Sequence, residues 1–282
     1  MIFARDLITD WMWPEGGNPK PYGLLHIFSL LFMVILIYLF VTKLALKYNK
    51  KTDDKVVFGI GLFLIIIEIY KQIFNTLVST NGYQWYMFPF QFCSVPMYIA
   101  IISSLLKEGK VKDAMYKFLA YYGLVAGTAV MLIPGDVFTS PYAVISFHSM
   151  LWHISLVVMG CYLLISRRLG FEFKKDIVPA FIVFVSVVTL AIIFNIIGYN
   201  AFFGNSEINV HGHMMNLFFI SPYYITTLPV LSLIQPRVPY PIFLLCYLVM
   251  FTLGVSLVWL IINFIRKLII KKELNDENNK LV

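Results

Sequence analysis

The stretch Val56-Val-Phe-Gly-Ile-Gly-Leu-Phe-Leu-Ile-Ile-Ile-Glu68-Ile-Tyr-Lys71-Gln72-Ile-Phe-Asn75-Thr-Leu-Val78 decides the class of fold. Its first 12 residues carry no charge. At ~1.5 Å per residue the whole run is long enough to cross the ~30 Å hydrocarbon core of a bilayer. Its last third then breaks the apolar pattern with Glu68, Lys71, Gln72 and Asn75, spaced i, i+3, i+4 and i+7. That spacing puts the four on one helix face. Ionisable groups are costly in hydrocarbon and face protein or a watery cavity, so this face points inward. Asn75 falls ~5 Å and Glu68 ~15 Å below the near end of the span. Glu68 and Lys71 are placed to pair and cancel their charges, which reads as an ion pair that orients helices. The alternative is that Lys71, Gln72 or Asn75 contacts a polar headgroup or substrate.

Outward from this run the chain continues in kind. It has 282 residues, 60% hydrophobic and 13% charged, with a mean hydropathy of +0.80. A soluble globular protein of this size has far more charge. The fold expected is an all-α polytopic membrane bundle of about seven transmembrane helices, at roughly 22–46, 56–78, 88–106, 116–133, 142–165, 177–198 and 241–266. One transmembrane domain (1–268) and a polar, disordered cytoplasmic tail (269–282) account for the chain. Trp11-Met-Trp13-Pro14 reads as an interfacial anchor, and Gly123 with Gly127 as a GxxxG helix-packing pair.

The net charge of +7 is a topology signal rather than a nucleic-acid footprint. Lys43, Lys47, Lys50, Lys51 and Lys55 fill one loop; Lys107, Lys110, Lys112 and Lys117 another; Arg167, Arg168, Lys174 and Lys175 a third; and Arg266, Lys267, Lys271, Lys272 and Lys280 the end. The opposite face has Arg5, Lys20 and Arg237. The positive-inside rule then puts the N-terminus outside and the C-terminus in the cytoplasm of a cell-membrane protein. Residues 214–234 are apolar enough to suggest an eighth span, but that span would invert the basic end, and Pro222 and Pro229 interrupt a helix. A re-entrant or capping outer segment is the better reading, since such backbone persists at membrane depth only where protein shelters it.

Three cysteines, Cys93, Cys161 and Cys246, lie in apolar segments without the spacing of a disulfide framework or zinc site. Cys93 follows Phe88-Pro89-Phe90-Gln91-Phe92, less than two turns below the outer surface. Cys161 and Cys246 read as packing residues. His148 and His153 lie ~9 Å and ~16 Å below the outer end of the fifth helix, about 140° apart around it, so they need not share a pocket. Buried cysteine is ordinarily a small hydrophobe and a membrane histidine ordinarily a hydrogen-bonding group. Together, a thiol and an imidazole are the minimum of a nucleophile-activating pair. His26 reads as interfacial. His211 and His213 lack the further ligands a metal site needs. No phosphate-binding loop, dinucleotide fingerprint or HExxH is present, and no cofactor or metal is expected.

Pro89-Phe90-Gln91-Phe92-Cys93 resembles the "LPLHLC"-type motif of the YwaF-like bacterial integral membrane proteins, which are related to the animal transmembrane protein 164. Gly123-Leu-Val-Ala-Gly127-Thr-Ala-Val-Met-Leu-Ile-Pro134 is similar to that family's Gly-rich fourth helix. His153-Ile-Ser-Leu-Val-Val-Met-Gly-Cys-Tyr162 is similar to its fifth. Gly212-His-Met-Met-Asn216-Leu-Phe-Phe resembles a late "G-x-N-Y-x-x-L" element. This chain has Gln91 where the family commonly has His. The resemblance implies an acyltransferase-like fold acting on phospholipid or lysophospholipid, with Cys93 as nucleophile and His153 as base.

Three functions follow. In the first, a lipid acyltransferase or transacylase works in an outer-half pocket, with Cys93 and His153 catalytic, His148 assisting, and Glu68, Lys71, Gln72, Asn75, Gln91 and Asn216 contacting substrate. In the second, a transporter or small-molecule receptor uses Glu68, Lys71 and the histidines. In the third, the polar groups only pin a noncatalytic scaffold.

Overall fold

The computed structural model describes residues 19–47, 50–78, 83–135, 137–138, 140, 142–203 and 215–280. The Trp11–Trp13 anchor and the His211/His213 pair lie outside these residues. Helix α1 is Leu24–Leu39, prolonged by a π-helical turn, Phe40–Leu44. Helix α2 is Lys50–Val78 and α3 is Val95–Leu105. Helices α4 (Lys110–Phe118) and α5 (Leu124–Leu132) join through a π-helical turn, Leu119–Gly123, into one rod. Helices α6 (Ala143–Ser166) and α7 (Phe173–Gly198) follow, then the short α8 (Leu231–Ile234) and the long α9 (Tyr240–Lys280). All regular structure among the described residues is helical.

Among the described residues, six helical rods are long and apolar enough to span a bilayer: Leu24–Leu44, Lys51–Val78, Lys110–Leu132, Ala143–Ser166, Phe173–Ala201 and Tyr240–Leu268. The third expected span, 88–106, is instead a short helix behind an irregular lead-in. Its cause is local. Pro89 disfavours helical backbone at the residue before it, and Phe88 sits at φ −51°, ψ 131°. The helix can begin only near Pro96, which occupies its first turn, where a missing N–H costs nothing. Eleven residues rise ~16 Å, about half a bilayer. The other end of the chain also differs from expectation. Helix α9 continues to Lys280, because extending an already nucleated helix costs much less than starting one.

Residues 215–234 do not form a span. The first part, 215–221, is irregular and largely buried, with Leu217, Phe218 and Ile220 fully enclosed, and side chains replace the missing main-chain partners. Asn195 on α7 receives the Leu217 N–H (2.8 Å) and donates to the Leu217 carbonyl (3.0 Å). Gln91 accepts the Phe218 N–H at 2.9 Å. Tyr240 donates to the Ile220 carbonyl at 2.6 Å. Such pairing is what allows irregular chain to lie within a bundle.

Helix α6 runs through the centre, with 72% of its most apolar window buried, whereas α1 has 6%. Its close neighbour is α5. A Cβ at Gly127 would lie 2.8 Å from the His153 carbonyl oxygen, and one at Gly160 would lie 2.7 Å from Leu124 Cβ. Gly123, the other half of the expected GxxxG pair, would meet Pro96 only at 3.9 Å. The contact is thus Gly127 and Gly160 across two helices. Gly127→Val is expected to lower stability by about 1–3 kcal/mol through overpacking, read as a lower melting temperature in detergent.

At the end of the bundle carrying the basic loops, several of the charges counted for topology are spent internally. Asp53 pairs with Arg167 (2.9 Å) and receives the Tyr162 hydroxyl (2.7 Å). Asp54 pairs with Lys112 (2.7 Å) and receives the Tyr116 hydroxyl (2.6 Å). Asp176 receives Gly170 N–H and the Trp259 indole N–H. These links tie α2 to α4 and α6, and α7 to α9. His26, expected at the interface, is fully buried and joins α1 to the end of α5 through the Met131 carbonyl (2.9 Å).

Candidate functional site

The lead-in to α3 alternates in purpose. Phe90 and Phe92 enter the aromatic core, Phe92 lying 5.6 Å from Phe184, 5.6 Å from Phe218 and 4.9 Å from Phe251 between ring centroids. Gln91 and Cys93 line a cavity of about 200 Å³. The aromatic anchors therefore fix the segment so that the intervening polar side chains meet the cavity. Trp152 of α6 donates its indole N–H to the Cys93 carbonyl at 2.8 Å. That bond ties the Cys93 main chain directly to the helix that carries both histidines.

The same cavity is lined by Glu68 and Lys71 from α2, by His148, Ser149, Trp152 and His153 from α6, and by Tyr86 and Met87. Both histidines line it despite their angular separation. His153 Nδ1 lies 2.7 Å from the Ser149 carbonyl oxygen. A carbonyl only accepts, so Nδ1 carries the proton of the neutral ring and Nε2 carries the lone pair. His153 Nε2 is buried and has no hydrogen-bond partner among the described residues. No hydrogen bond joins Cys93 and His153 among these residues; they share a cavity wall.

Glu68 is almost fully buried. Its Oε1 receives Lys71 Nζ (2.7 Å) and Gln72 Nε2 (2.7 Å), and Oε2 lies 4.0 Å from His148 Nε2. Opposite charges in contact offset the cost of placing either in the membrane. Gln72 also donates to the Met87 carbonyl at 2.8 Å and accepts the Tyr83 hydroxyl at 2.7 Å. Burial, with the Glu68 charge beside it, pushes the Tyr83 phenol up to about 12, so it stays a donor and fixes the Gln72 amide. Gln72 thus braces Glu68 and the 83–87 loop. His148 stacks on Trp152 with centroids 5.5 Å apart.

Of the remaining expected contacts, Asn75 lines an adjoining cavity of about 320 Å³ that shares Tyr86, Met87, Ile145 and Ser149 with the first. Its Nδ2 is buried with no hydrogen-bond partner among the described residues. Gln91 faces the first cavity, but its amide holds the capping segment through Phe218 N–H and the Asn216 carbonyl (3.3 Å). Asn216 turns its side chain to the Ser221 N–H at 2.9 Å, bracing that segment. Cys161 and Cys246 pack at the edge of the core.

Trp152, Ser149 and Tyr86 are the site residues that sequence reasoning missed. A Trp in mid-span, whose indole N–H must find an acceptor, was the available signal for the first.

The fold and the cavity define a multi-pass helical membrane protein with a thiol, two imidazoles and an ion pair gathered inside the bundle. The chain belongs to the TMEM164 family, whose sequence model matches residues 21–259. No curated protein and no solved structure gives a significant match.

Proposed function

We propose that the chain is a membrane-lipid acyltransferase of the transacylase type, with Cys93 as nucleophile and His153 as base. The observation that carries this reading is His153 Nε2, an acceptor without a partner among the described residues, on a side chain that lines the same cavity as Cys93 and whose tautomer is set by the Ser149 carbonyl. A base oriented by a third group beside a thiol is the arrangement that activates a nucleophile. The cavity lies at the end of the bundle away from the basic loops, so the reaction faces the outer leaflet if those loops are cytoplasmic.

In this scheme His153 Nε2 takes the Cys93 proton, and the thiolate attacks the ester carbonyl of a phospholipid. The C–O bond breaks, the departing lysolipid oxygen takes the proton back from His153, and the acyl chain remains as a thioester. A second lysolipid hydroxyl then gives its proton to His153 and attacks the thioester. The C–S bond breaks, and Cys93 recovers the proton. Lys71 uses one of its three donors on Glu68, leaving others for a phosphate or the oxyanion, where a fixed donor favours the transition state. The direct test is transfer of a labelled acyl chain from phospholipid to lysophospholipid by the purified chain in proteoliposomes. Transfer above that of protein-free vesicles supports the reading, and none from folded protein opposes it.

The approach of His148 to Glu68 favours one rival, a proton-coupled transporter, because a buried carboxylate and imidazole lie 4.0 Å apart, neither of the facing atoms hydrogen-bonded among the described residues, and a side-chain movement of about 1 Å would bring them within reach of proton transfer. Removing Glu68 alone would strand Lys71 as a buried charge at a cost of about 3–5 kcal/mol, so the pair is exchanged together. If the enzyme reading holds, Glu68→Gln with Lys71→Met lowers acyl transfer by about 10²–10³-fold, the cost of losing one oxyanion donor, while the acyl-enzyme at Cys93 still forms. A variant that loses solute uptake while Cys93→Ser keeps it would establish the transporter.

A further inference from the structure

We propose that a lateral groove between α1 and α2, at the end of the bundle that carries the basic loops, binds one anionic phospholipid, with an acyl chain in the groove and the phosphate on Lys55. This site is separate from the Cys93 cavity and independent of the enzyme reading.

The groove is a cavity of about 440 Å³. Leu36, Phe40 and Leu44 form one wall, Val56, Ile60 and Phe63 the other, and Val158 of α6 contributes to the floor. The first wall includes the π-helical turn Phe40–Leu44, an irregularity frequent at functional sites. Gly59 opens the second wall. A Cβ there would meet nothing within 4 Å, whereas one at Gly61, two residues on and so about 200° round the helix, would meet Ile101 at 3.0 Å. One face of α2 is therefore packed to the limit and the other is left bare. The floor offers no free polar group, since Ser155 spends its hydroxyl on the Leu151 carbonyl at 2.8 Å. A cleft of this kind facing hydrocarbon forfeits dispersion contacts along its lining unless a chain fills it.

The headgroup end is set by charge. Lys55 lines the mouth of the groove and is exposed. Its two sequence neighbours are acids, but neither serves it: Asp53 is committed to Arg167 and Tyr162, and Asp54 to Lys112 and Tyr116. Lys43, also exposed, lies on the same turn of α1 as Leu44. Among the described residues, the mouth thus has cationic charge that neither neighbouring carboxylate balances. Basic residues at the membrane surface beside a cleft between spans favour an anionic headgroup over a zwitterionic one.

The test is native mass spectrometry of the full chain, released from detergent after equilibration with phosphatidylglycerol or phosphatidylethanolamine of matched chains. Wild type is compared with Lys55→Gln and Gly59→Phe. Wild type is expected to retain one phosphatidylglycerol in preference to phosphatidylethanolamine. Lys55→Gln should cut that preference about five-fold, and Gly59→Phe, which fills the groove, should remove retention of both lipids. Melting temperature and monodispersity identify any variant that fails to fold, and Gly59→Leu replaces Gly59→Phe in that case. Retention of phosphatidylglycerol unchanged by both substitutions overturns the site. Loss with Gly59→Phe but an unchanged preference with Lys55→Gln overturns the anionic assignment.

Discussion

Replacing Cys93 by serine is expected to reduce acyl transfer by about 10³-fold or more while leaving the fold intact. The nucleophile in such chemistry is the thiolate, and a serine hydroxyl in the same place is far harder to ionise. The structural cost is small because Cys93 is held by its main chain, through the Trp152 indole on its carbonyl, and by the packing of the adjacent Phe92, and the substitution exchanges a single side-chain atom. The melting temperature of Cys93→Ser should therefore match wild type. A large fall in both activity and stability would instead mean that Cys93 is a packing residue. The measurement is labelled-acyl transfer in proteoliposomes, beside thermal unfolding in detergent.

His153→Gln is expected to lower transfer by about 10²–10⁴-fold, the range for loss of a positioned general base. Glutamine has similar reach and can still hydrogen-bond to the Ser149 carbonyl that holds the imidazole, but it presents no basic nitrogen to the cavity. Both half-reactions use the same base, so acyl-enzyme formation and its discharge to lysolipid should slow together in single-turnover experiments. Equal single-turnover rates in wild type and variant would remove His153 from the mechanism.

Much of this was legible in the sequence, for physical reasons. Helical periodicity fixes Glu68, Lys71, Gln72 and Asn75 to one face of α2, and membrane burial dictates that the face turns inward. Pro222 and Pro229 argue against a span over 214–234 just as directly. What sequence could not supply was any contact between segments distant along the chain. The meeting of the α3 lead-in with α6 depends on the Trp152–Cys93 bond, which no local pattern encodes. The clamp of Asn195 on Leu217 is hidden for the same reason, as is the burial of His26. Charges misled where they were read only as topology: Asp53, Arg167, Asp54 and Lys112 pair inside the bundle, which loop counting does not reveal. The shortened α3 follows from Pro89 and Pro96, whose effect on helix start was visible, but hydropathy alone ran the helix back to residue 88. Gln91 and Asn216 occupy the expected region, yet their amides hold the capping segment, a use that composition cannot tell from substrate binding.

Intact mass spectrometry of the purified chain, quenched in acid after incubation with phospholipid, tests the role of Cys93 most directly. The expected result is a mass increase of one acyl group, removed by hydroxylamine, absent from Cys93→Ser and discharged by added lysophospholipid. Folded wild-type protein that transfers acyl chains without any adduct at the shortest quench time, with Cys93→Ser equally active, would contradict the thioester mechanism.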